Sequence, residues 1–199
     1  AGLEDEIARL ASSAARSLAR AHVARAREDA AWLPEAEFAA ALEDLGSDPL
    51  AVADRFGCSP LAAMRRMAGA AGMQAGLVAC DGSGTLIFRK PATGFPLPRF
   101  GSACPLWPLY AALGRPMQPV EARVQMAGQS DRRHRVVAWG EVRHPQGLRG
   151  PELREAAMLI LPDDGDGPVT RIGSSCRVCA RGDCPARREP SILASEGVA

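Results

Sequence analysis

Apolar positions at Leu3, Ile7, Leu10, Ala14 and Leu18 recur every three or four residues, which predicts an amphipathic helix from Leu3 to about Ala31. No Pro or Gly interrupts that stretch. Arg9, Arg16, Arg20 and Arg27 line one side of it and read as a solvated face, with pairing to a second copy of the chain as the other use. A second helix runs from Pro34, at the first helical position, to Leu45, with Gly46 as its stop. Asp48-Pro49 and Ser59-Pro60 announce two short helices, and Gly57 ends the first of them. The segment from Asp48 to Met67 therefore has the outline of a helix-turn-helix, in which Arg65 and Arg66 would be the candidate DNA contacts. Its apolar residues mostly supply one side and its basic patch is weak, so a packing role is predicted.

After Gly69-Ala-Ala-Gly72 the wording changes from helix formers to strand-like runs. Gly76 to Cys80 and Thr85 to Phe88 flank Asp81-Gly-Ser-Gly84, a hairpin signal. Strands from Pro119 to Ala127, His134 to Val142 and Glu155 to Leu161 follow, with no βαβ repeat. Helices first and antiparallel strands afterwards give an α+β class. A helical segment, residues 1–72, is expected to pack on a mostly antiparallel sheet, GAF- or PAS-like, within residues 73–199, which end in a four-cysteine metal knuckle.

The 199 residues are 47% hydrophobic and 24% charged, with 24 Lys and Arg against 23 Asp and Glu. That balance describes a globular protein and argues against a polybasic nucleic-acid binder or a disordered tail. The longest apolar stretches, such as Ala156 to Leu161, are too short to span a bilayer. Glu4, Asp5, Glu6 and nearby arginines stand where a signal peptide would be apolar, so a cytoplasmic location is expected. The chain begins at Ala1 and reads as a piece of something longer.

Six cysteines in a cytosolic chain point to metal or redox chemistry before disulfides. Three of them form Cys176-Arg-Val-Cys179-Ala-Arg-Gly-Asp-Cys184-Pro185, whose spacing lets three thiolates converge on one centre. The fourth ligand is assigned to Cys104, in a turn-like context of small neighbours and, like Cys184, followed by proline. Zinc and a [4Fe–4S] cluster both satisfy this spacing, and Arg177, Arg181, Arg187 and Arg188 would offset the negative charge of a four-thiolate cluster. Cys58 and Cys80 read as small apolar side chains. His22, His134 and His144 are scattered, and G-x-S-x-G, P-loop and G-x-G-x-x-G motifs are absent, so no enzyme is expected.

Arg89-Lys-Pro-Ala-Thr-Gly-Phe95, Arg99-Phe-Gly-Ser-Ala-Cys-Pro-Leu-Trp107 and the Cys176 to Arg187 run together resemble the C-terminal domain of bacterial short-chain fatty acyl-CoA regulators. The resemblance implies the ligand-sensing domain of a transcriptional regulator, with DNA contacted only through a separate N-terminal domain of the parent. It also implies a [4Fe–4S] cluster on Cys104, Cys176, Cys179 and Cys184, with zinc as the alternative, and a CoA ester as effector. Phosphates require cations and a short acyl group requires an apolar slot, so Arg89, Lys90, Phe95, Arg99, Phe100 and Trp107 are the candidate effector contacts. The rival reading is a structural zinc module for protein assembly, indifferent to CoA esters.

Overall fold

The computed structural model describes residues 2–99, 102–128 and 131–193. It divides into two compact units, Ala1–Arg66 and Met67–Ala199. Among the described residues no helix is long and apolar enough to cross a membrane.

The first unit is helical: α1 (Leu3–Ala8), α2 (Ser13–Trp32), α3 (Glu35–Leu45), α4 (Pro49–Phe56) and the beginning of α5 (Pro60–Gly69). The single long helix expected from periodicity is broken between Ala8 and Ser13. Ser12 adopts extended backbone there and its hydroxyl accepts from the Ala15 N–H, while Arg16 donates to the Leu10 carbonyl at 2.6 Å. A serine that can cap competes with helix continuation even where Gly and Pro are absent. Asp48 caps α4 by accepting from Leu50 and Ala51, and Gly57 closes it in the left-handed region at φ 59°. Arg65 forms a bidentate pair with Asp29, and Arg66 donates to the Leu33 carbonyl and Glu35 and lies over the Phe38 ring. Both guanidinium groups are thus engaged within this unit.

The second unit is built on a six-stranded sheet of order β2-β1-β5-β4-β3-β6. Its strands are β1 (Gly76–Asp81), β2 (Leu86–Lys90), β3 (Val120–Met126), β4 (Arg133–Arg143), β5 (Leu153–Pro162) and β6 (Thr170–Ile172). All neighbours are antiparallel except β3 and β6, which pair in parallel through Val124 and Thr170. The three-residue β6 makes the sheet mixed; a run that short carries no alternation to read. Helix α6 (Pro108–Gly114) packs on β4, β5 and β3. Alternate strand residues Val78, Cys80, Val136, Ala138, Met158 and Ile160 join Phe95, Trp107, Leu109 and Ala112 in one core. Burying each of the larger side chains here is worth about 1.5–3 kcal/mol. Gly140 lets α6 approach closely, since a Cβ at that position would overlap the Ala112 carbonyl.

Candidate effector and metal site

Two distant stretches of chain are held together at one end of this core. The Cys104 N–H donates to the Ser174 carbonyl at 2.9 Å, and the Trp107 N–H closes a tight turn on the Cys104 carbonyl at 3.0 Å. On the same turn the Trp107 indole N–H donates to the Gly173 carbonyl at 2.7 Å. Ala103 is fixed on both sides, its N–H donating to the Tyr110 hydroxyl and its carbonyl accepting from Arg188.

The C-terminal segment then folds into a short 3-10 turn, Cys176–Val178. Arg187 donates to the carbonyls of Cys176 and Arg181, Arg181 donates to that of Arg171, and the Ile192 N–H donates to that of Arg177. Arg187 thereby satisfies loop carbonyls, and Arg181 one on the edge strand β6. Gly173 is required by proximity: a Cβ on it would lie 2.8 Å from the Cys179 sulfur.

Cys104, Cys176, Cys179 and Cys184 line one small cavity of about 10 Å³, whose wall also includes Arg171, Arg181 and Arg187. Cys104, Cys176 and Cys179 are buried and Cys184 is half-buried. Burial raises the Cys104 thiol above its ordinary pKa; backbone N–H groups of Gly173 and Leu106 work against that, and the neighbouring Cys176 and Cys179 sulfurs add to it. Among the described residues, no three His, Cys, Asp or Glu side chains are gathered in a way that would hold a single metal ion. The donor set, four sulfurs with amide N–H groups and guanidinium groups around them, is of the kind that suits a thiolate-bound cluster.

Five of the six effector candidates are among the described residues, and of these Phe95 and Trp107 pack against each other. Arg89 is exposed and donates to the Pro98 carbonyl, and the Lys90 ammonium donates to the Ala75 carbonyl at 2.7 Å. Arg99 is exposed, and Phe100 lies outside the described residues. Phe95 is buried, with its ring centroid 5.4 Å from that of Trp107 and 5.3 Å from that of His134. Trp107, also buried, forms part of the wall of an apolar groove of about 460 Å³ between the start of α6 and strands β3 and β6. Leu106 lines both this groove and the thiol cavity. No periodicity announces the groove, because α6 is only seven residues long, too short to display a helical period.

A family model described as "Short-chain fatty acyl coenzyme A regulator, C-terminal" matches residues 64–198. The chain belongs to this family. Over 205 aligned residues it is 31% identical to a protein named propionyl-CoA carboxylase regulator from Cereibacter sphaeroides, covering 94% of this chain and 44% of that relative. It is 30% identical over 201 residues to the HTH-type transcriptional regulator PrpR of Mycobacterium tuberculosis, covering 91% and 41%. A solved structure titled Mycobacterium tuberculosis transcriptional regulator superposes with a TM-score of 0.78 at 28% identity, covering 94% of this chain and 62% of that one. The chain thus spans less than half the length of these curated relatives. The family and the Cereibacter relative are named as regulators, and PrpR as a regulator of transcription.

Proposed function

We propose that the chain is the ligand-sensing domain of a regulator of short-chain acyl-CoA metabolism, with a CoA ester as effector and a [4Fe–4S] cluster on Cys104, Cys176, Cys179 and Cys184. The observation that carries this reading is the common cavity lined by four sulfurs from two distant stretches, in a chain of this family. A single zinc would need all four sulfurs about 2.3 Å from one point. In a four-iron cluster each thiolate binds a different iron, so the sulfurs stand farther apart than around one zinc. The cluster would supply electron-transfer or oxygen-sensitive chemistry. The chain's own part is to present four thiolates, offset their charge with Arg171, Arg181 and Arg187, and limit the access of water.

The apolar groove beside Trp107 suits a short acyl chain. A mostly antiparallel six-stranded sheet with a helix packed on it is compatible with the GAF- or PAS-like class expected from the sequence, an analogy of fold alone. DNA contact would belong to another part of the parent protein, as the name HTH-type suggests for PrpR. Protein purified without oxygen is expected to be brown, with broad absorption near about 400 nm, and to bind propionyl-CoA in calorimetry. Cys179→Ser should abolish the colour. A colourless protein holding one zinc and giving no heat with propionyl-CoA would replace this reading with the structural zinc module.

A further inference from the structure

Arg187 stands half-buried in the wall of the thiol cavity, and its hydrogen bonds reach every part of the cysteine knuckle. Its Nη1 donates to the Cys176 carbonyl at 3.2 Å, at the first thiol of the run. Its Nη2 donates to the Arg181 carbonyl, inside the spacer between Cys179 and Cys184. The Arg187 backbone N–H closes a turn on the Cys184 carbonyl at 3.1 Å, at the last thiol. Nη1 also stands 3.4 Å from the Glu189 carbonyl, on the segment that leaves the knuckle. All of these acceptors are backbone carbonyls, so the guanidinium braces the loop rather than neutralising an acidic side chain.

The neighbouring Arg188 reaches the other limb of the site. Its Nη2 donates to the Ala103 carbonyl at 2.8 Å, across 85 positions of sequence and next to Cys104. A guanidinium carries its donors on separate nitrogens of a rigid planar fork, so it holds two carbonyls at a set spacing. An ammonium has the same charge but presents all its donors from one nitrogen. Position 187 uses the fork, and position 188 a single donor. We infer that Arg187 is a positioning residue of the four-thiol site: its fork shapes the knuckle so that Cys176, Cys179 and Cys184 face Cys104. This function lies in the geometry of the side chain, beyond the charge it adds. The inference rests on the reading of these four thiols as a cluster site, and the experiment separates the two.

Arg187→Lys keeps the charge and loses the fork, whereas Arg188→Lys keeps both the charge and a single donor. After anaerobic reconstitution of the full chain, Arg187→Lys should lose its colour to an iron chelator about tenfold faster than the unsubstituted chain, and Arg188→Lys should stay close to it. Before reconstitution, the buried Cys176 and Cys179 of the reduced chain should alkylate slowly. Arg187→Lys should speed both, while Cys80, fully buried in the sheet, stays protected as the internal reference. The urea midpoint should not move. The proposal is overturned if Arg187→Lys holds its cluster as the unsubstituted chain does, which would leave charge as the whole contribution of the residue, or if Arg188→Lys loses it as quickly. It is equally overturned if Cys176 and Cys179 stay slow to alkylate in Arg187→Lys, or if the urea midpoint of that variant falls, which would assign the fork to the fold at large. A chain that takes up no iron, yet frees Cys176 and Cys179 for alkylation in Arg187→Lys alone, would retire the cluster reading and keep Arg187 as the residue that shapes the knuckle.

Discussion

The Trp107 indole N–H and the Gly173 carbonyl are joined by a buried hydrogen bond of 2.7 Å that spans 66 positions of sequence. Trp107 belongs to the wall of the apolar groove and Gly173 to the wall of the thiol cavity, so this bond fastens one site to the other. Trp107→Phe keeps an aromatic ring in the core but leaves the Gly173 carbonyl unsatisfied and a small void behind. The expected loss is about 2–3 kcal/mol, read as a shift of the urea midpoint at unchanged slope. A change within the error of the wild-type curve would show that the bond holds nothing.

Cys80 is fully buried in β1 opposite Ala156, and desolvation pushes its thiol from 9.0 up to about 12; the Ala156 backbone hydrogen bond opposes this, and the Asp81 and Glu155 charges add to it. The folded chain holds this proton more tightly than the unfolded chain does. That contribution is therefore intact below the unfolded value and is lost as pH rises through the folded one. Stability should decline between about pH 9 and about pH 12, and Cys80→Ala should flatten the decline. Unfolding curves collected on both sides of about pH 9 provide the check. Parallel declines in the two proteins would remove Cys80 as the cause. The same protonation predicts that Cys80 resists alkylation until the chain unfolds.

Much of the second unit was legible because alternation and turn chemistry agree: Asp81-Gly-Ser-Gly84 joins β1 to β2, and the apolar runs around Val137 and Leu159 became adjacent strands. The elements that escaped are short. α6 and β6 owe their existence to the sheet they lie against rather than to their own seven and three residues. The convergence of Cys104 on the C-terminal knuckle could be argued from small neighbours and proline. The carbonyls that secure it, Gly173 and Ser174, could not, since any residue type can supply one. Likewise, nothing in the wording of Arg89 and Lys90 announces that their cationic groups reach Pro98 and Ala75 carbonyls.

In the helical unit the bidentate pair of Asp29 and Arg65, at 2.7 and 2.8 Å, sets α2 against α5. The Asp29 side chain is 8% exposed and that of Arg65 26%. Removing the carboxylate alone takes the bidentate partner from a cation that is largely withdrawn from water. Asp29→Ala should therefore cost about 2–4 kcal/mol, discounted slightly for the partial exposure of Arg65. Exchanging both partners for apolar residues, Asp29→Leu with Arg65→Met, should recover most of that loss, because neither desolvation penalty is then left unmatched. A double variant as unstable as the sum of its singles would contradict this account.

Gly173 separates the assembly of the thiol cavity from the stability of the sheet. Its carbonyl would still accept from Trp107 after Gly173→Ala, but the added methyl would stand 2.8 Å from the Cys179 sulfur and 3.0 Å from its Cβ. Cys179 lies in a loop beyond the last strand, where displacement is cheaper than within the packed sheet. The substitution should therefore leave the unfolding midpoint within about 1 kcal/mol of wild type while reducing the iron and sulfide recovered on anaerobic reconstitution. Serine at Cys104 would lower that recovery as well, but by removing a donor rather than moving one. Gly173→Ala should accordingly retain all four thiols in a titration of the unfolded protein and lose only their convergence. Full cluster recovery in Gly173→Ala would mean that Cys179 reaches the centre from another direction, and the close approach of Gly173 to its sulfur would then have no part in building the site.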